Sequence, residues 1–149
     1  MPNPTFFPVS AIPNVWPYTA TAADLPVTGT TAQTATALSV AVEANRTYIM
    51  STGAIFGCTS AAATVGIGWT GPTGATMKWN NTTGSTGYRN AINLTDTYTG
   101  STATREAFFF GRLVVGANAG SLTLTISTSD AAQTATLFQD SWLLLQRVA

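Results

Sequence analysis

Apolar and polar residues alternate with a period of two along most of this chain from residue 35 onward, the spacing of strands with one buried face. Residues 35–43 set Thr36, Leu38, Val40 and Val42 on one side and predict a strand, closed by a turn at Ala44-Asn45. A second strand is predicted over 46–57, with Gly53 as a bulge or bend. A third, 64–70, places Val65, Ile67 and Trp69 on one face and Gly66 and Gly68 on the other. Gly71-Pro72-Thr73-Gly74 has proline and glycine where a tight turn wants them, so 75–79 is expected to return as the partner of 64–70. The run 80–87 (NNTTGSTG) is a loop by composition, 88–98 a weaker strand candidate and 99–104 a further loop. Strands over 106–115, 121–127 and 136–148 complete the set. Between them, 116–120 (GANAG) is expected as a short hairpin connection and 127–133 as a loop or a single helical turn. No stretch carries sustained helical periodicity. About eight such strands predict an all-β fold, an antiparallel β-sandwich or jelly-roll-like domain over 34–149.

Two stretches break the alternation. Residues 108–115 and 142–148 are apolar on both faces of an extended strand. Phe108, Phe110 and Val114 point one way while Phe109, Leu113 and Val115 point the other. One face can fill the domain's own core; the second needs cover from elsewhere. The simplest cover for a small β-domain is another copy of itself. Phe108, Phe110, Val114, Trp142, Leu144 and Val148 are therefore the expected subunit interface.

Pro2, Pro4, Pro8, Pro13, Pro17 and Pro26 crowd the first 26 residues. Proline fixes φ and removes a backbone donor, which forbids a helix or a central strand here. Residues 1–33 are expected as an extended arm. Phe6, Phe7, Ile12, Val15, Trp16 and Tyr18 make it too apolar for a free linker, so it is expected to lie on its own domain, a neighbouring copy or another protein.

Composition sharpens the picture. Only 8% of the residues are charged and the formal net charge is zero, so no basic footprint for nucleic acid is present. No apolar run reaches membrane-spanning length, and the opening residues lack the pattern of a signal peptide. Thr, Ser, Asn and Gly supply a neutral surface that packs against neighbours without desolvating charge. Histidine is absent, which removes the commonest general base and most zinc sites. The acids Asp24, Glu43, Asp96, Glu106, Asp130 and Asp140 stand singly. No catalytic, metal-binding or cofactor-binding residues are expected, and Cys58 reads as a small buried hydrophobe. Trp69 reads as core because it shares a face with Val65 and Ile67. Trp79, beside a polar loop, reads as the exposed member of the pair.

Three motifs in order carry a resemblance. They are W-x-x-P-x-G-A-x-x-x-W at 69–79, G-x-L-x-V-G-x-x-A-G-x-L-x-L at 111–124, and S-W-L-x-L-x-R-V-A at 141–149. Together they make the stretch 46–149 resemble a module of tailed-bacteriophage virion proteins, especially from phages of actinobacteria. The resemblance implies a homotrimer of β-sandwich or jelly-roll subunits. It also implies a virion structural role; with no fibre shaft and with an apolar arm, the chain is expected to be a non-enzymatic capsid decoration (cement) protein on the outer surface of the head, with the major capsid protein as partner and the arm clasping it or a neighbouring trimer. The alternative is the receptor- or glycan-binding tip of a tail or head fibre, in which Trp79, Tyr88 and Tyr98 form an exposed recognition surface.

Overall fold

The computed structural model describes residues 16–82 and 88–148. They form eleven strands: β1 (Tyr18–Ala20), β2 (Leu25–Thr28), β3 (Gln33–Val42), β4 (Thr47–Cys58), β5 (Thr64–Thr70), β6 (Thr76–Asn81), β7 (Thr95–Thr99), β8 (Arg105–Val114), β9 (Gly120–Thr128), β10 (Thr134–Leu137) and β11 (Trp142–Arg147). Two antiparallel sheets pack as a sandwich, with no helix among the described residues. The smaller sheet runs β3-β9-β5-β7. In the larger, β6, β8 and β4 lie side by side. The far edge of β4 is shared: β11 and then β1 follow Tyr48–Gly53, while β10 and then β2 follow Phe56–Cys58. The set β2-β10-β4-β8 thus faces β3-β9-β5-β7, a jelly-roll-like interleaving.

From β2 to β10 each successive strand changes sheet, so no ladder joins two strands adjacent in the chain. This corrects two expected hairpins. The turn at 71–74 is present, with Gly74 at φ 83° and the Ala75 N–H bonded to the Pro72 carbonyl at 3.0 Å. It carries the chain from β5 in one sheet to β6 in the other, and β6 pairs with β8. The 116–120 connection likewise crosses from β8 to β9. The two crossings brace each other, the Asn118 side-chain amide donating to the Thr73 carbonyl at 3.1 Å.

The core lies between the sheets and is aromatic at its centre. Phe109 from β8 meets Trp69 from β5 edge-on at 6.1 Å, Trp79 from β6 at 5.9 Å and Tyr98 from β7 at 6.3 Å, the tilted geometries that aromatic quadrupoles favour. Leu38, Met50, Leu113, Leu124 and Leu145 fill the space around them, and Cys58 is buried as expected.

Other expectations shift in register. The 35–43 strand exists, but a slip between Thr34 and Ser39 puts Ala35 rather than Thr36 on the buried face with Leu38, Val40 and Val42. Gly53 is no bulge, since the β4–β8 register runs unbroken through it. The single strand expected over 136–148 is two, divided by a tight bend in which Asp140 has φ 65°. Only the end of the 88–98 candidate is a strand, β7, with an isolated bridge from Arg89 to Trp79. Finally, the described part of the expected arm, 16–33, gives β1 and β2 to the larger sheet and ends at Gln33, the first residue of β3 in the smaller. Pro26 sits in β2 on the outer edge of the β10 ladder, where a missing donor is tolerated. Phe6, Phe7, Ile12 and Val15 lie outside the described residues.

Candidate functional site: the outer face of the larger sheet

The outward faces of the two sheets differ in chemistry. On the smaller sheet, β5, β7 and β9 turn outward Thr64, Gly66, Gly68 and Thr70, then Thr95, Thr97 and Thr99, then Ser121, Thr123, Thr125 and Ser127. Hydroxyls pair across it, Ser39 with Thr123 at 2.7 Å. Gly66 and Gly68 leave room for Ser127, Thr95 and Thr125 to close over the backbone. This is a wettable, hydroxyl-rich wall.

The larger sheet turns outward aromatic and aliphatic side chains, interspersed with Ser51, Asn80, Gln146, Arg112 and Lys78, and its registers align them in rows. One row runs Ala20, Trp142, Gly53, Phe108. The next runs Tyr18, Leu144, Ser51, Phe110, Asn80, and a third Gln146, Ile49, Arg112, Lys78. At the end of the face Val114 lies opposite Thr47, whose carbonyl accepts the Val148 N–H at 2.9 Å. The sequence explains the spacing. β4 supplies small or short residues in the middle of the sheet, and its flanking strands supply the bulk. The Trp142 indole lies over Gly53 and the Phe138 ring over Gly57.

All six expected interface residues fall on or at the end of this one face. Phe108, Val114, Trp142 and Leu144 are half-buried, and Phe110 and Val148 are exposed at 49% and 51%. Trp16, Tyr18 and Ile49 add further exposed apolar surface. Sequence reasoning missed Ile49, because Tyr48, Ile49 and Met50 are consecutive apolar residues whose two faces cannot be told apart without a register.

Of the expected recognition residues, Tyr88 alone is exposed, at 73%. Trp79 is fully buried, which corrects the expectation that it forms an exposed contact. Its indole N–H donates to the Ala91 carbonyl at 3.0 Å, and its backbone exchanges hydrogen bonds with Arg89. The segment after the loop folds beside β6 and completes the wall around it. Tyr98 is half-buried, its ring 5.1 Å from that of Phe56. Arg89 and Asp96 form a part-buried ion pair beside it. Residues 83–87 of the polar loop lie outside the described residues.

Beside Phe110 the outer face dips into a cleft of about 480 Å³ lined by Ile49, Lys78, Tyr88, Asn90, Phe110 and Arg112. Among the described residues no group of three His, Cys, Asp or Glu side chains stands ready to hold a metal ion. The arrangement offers contact area and a few polar anchors. No protein-family model and no curated protein matches the chain.

Proposed function

We propose that this chain is a non-enzymatic structural subunit of a bacteriophage virion, a trimeric capsid decoration protein that binds the outer surface of the head. The observation that carries the reading is the asymmetry of the sandwich: one outer face is Thr, Ser and Gly, while the other carries exposed apolar side chains, Phe110, Tyr18, Ile49 and Val148, with a few polar and charged ones among them. Such a surface on a chain with 8% charged residues is matched to another apolar surface rather than to water. The motif order at 69–79, 111–124 and 141–149 supports the virion setting by resemblance; the last motif spans β11, and the second takes in the end of β8, 111–114, both on that face. Subunits joined there cohere by burial of carbon, and copies repeated over a shell stiffen it.

Labelling virions with an antibody against this chain and imaging them tests the reading. Label spread over the head is the expected result; label confined to the tail, or none at all, overturns it. The exposed Tyr88 beside a cleft also favours a second reading, a glycan-binding fibre tip. Label at fibre ends together with signal on a glycan array would select that one.

A further inference from the structure

Lys78 and Arg112 are direct partners across the β6–β8 ladder and line the same cleft. Like charges in that position repel. No carboxylate forms an ion pair with either among the described residues: Glu43 serves Arg46 and Arg147, and Asp96 serves Arg89. The strand residues of this outer face include a single carboxylate, Glu106, opposite Ile55 at the far end of β8. It too has no ion pair among the described residues. Glu106 and Arg112 point to the same side of β8 but are six positions apart, about 20 Å along an extended strand. That exceeds the reach of both side chains and the screening length of about 8 Å in physiological salt. Phe108 and Phe110 occupy the interval. Among the described residues, neither Glu106 nor the Lys78–Arg112 pair has a partner of opposite charge within one molecule.

We infer that the cleft receives the Glu106 carboxylate of a second copy of this chain. This contact rests on the self-associating face proposed above and gives it a register. Apolar contact through Phe108 and Phe110 supplies cohesion without direction. A carboxylate fitted between Lys78 and Arg112 admits one alignment of the two faces and penalises its alternatives, the usual role of charge at an apolar interface. Arg112 offers a planar fork for two hydrogen bonds to the carboxylate and Lys78 a point charge beside it.

Charge exchange tests this in the purified full chain, with self-association read by sedimentation over a concentration series. Glu106→Arg alone, and Lys78→Glu with Arg112→Glu, each weaken association by at least about tenfold, and the chain carrying all three changes recovers most of the loss. Glu106→Gln, a milder change, falls between wild type and Glu106→Arg. All three positions carry solvent-exposed side chains, and an unfolding midpoint confirms that each variant folds. Two results overturn the inference. One is no change in either swapped chain, or a triple variant no better than its parents. The other is a wild-type chain that stays single at high concentration while taking up a uronate-bearing oligosaccharide through Lys78 and Arg112. Failure of the swap in a chain that still associates leaves the virion reading standing. Successful rescue with no label on virions removes that reading and keeps this one.

Discussion

At Gly53 the side chain is missing because the Trp142 indole occupies its place. A Cβ there meets the indole directly, so Gly53→Ala has to push Trp142 off the sheet or bend β4. A cost of about 1–3 kcal/mol follows, read as a lower urea midpoint. The cost shrinks in a Trp142→Ala background, because the two side chains compete for one volume. The aromatic residues near the polar loop divide just as sharply. Trp79→Ala opens a cavity against Phe109 and leaves the Ala91 carbonyl without its donor, at about 3–5 kcal/mol. Tyr88→Ala removes a side chain already in solvent and changes the unfolding free energy by no more than about 0.5 kcal/mol.

Among the elements, the junction of β10 and β11 depends on one hydroxyl. Ser141 is fully buried; its Oγ accepts the Ile55 N–H at 2.9 Å and donates to the Phe138 carbonyl at 2.8 Å. That pair fills the gap where the edge of β4 passes from one partner strand to the other. Ser141→Ala leaves the Ile55 amide unpaired, costs about 1–3 kcal/mol, and speeds hydrogen exchange at Ile55 before that of Met50. Elements of this kind set the limit of what the sequence discloses. Period two over 64–70 marked a strand because Val65, Ile67 and Trp69 share one dry side, and the run over 106–115, apolar on both faces from Phe108, marked another within a residue of its ends. Turn chemistry at 71–74 was equally plain, yet proline and glycine dictate only that the chain reverses. Whether it returns to the same sheet depends on distant partners, and here Trp69 and Trp79 meet Phe109 from opposite sheets. The outward apolar face was legible in 108–115 and 142–148. The cleft was not, since Lys78 and Arg112 come together only through register.

For the whole molecule, the contrast between a hydroxylated wall and an apolar one makes self-association selective for one side. Phe110→Asp sets a charge in the middle of that side and abolishes association while the unfolding midpoint of the single chain stays near wild type, since the residue contributes to no core contact. Thr97→Asp on the opposite sheet leaves association unchanged; sedimentation of both variants checks the pair of outcomes. Association of the wild-type chain persists in about 0.5 M salt, because burial of carbon is not screened.

The interleaved strand order also bears on how the polypeptide is made. β2 pairs only with β10 and β3 only with β9, so a nascent chain cannot complete either edge until most of it has left the ribosome. Loop closure across such separations is slow, on the order of milliseconds to seconds for sandwiches of this kind. During that interval Phe108 and Phe110 emerge ahead of the strand that finishes the smaller sheet. A chaperone-depleted host is where this polypeptide's yield falls first.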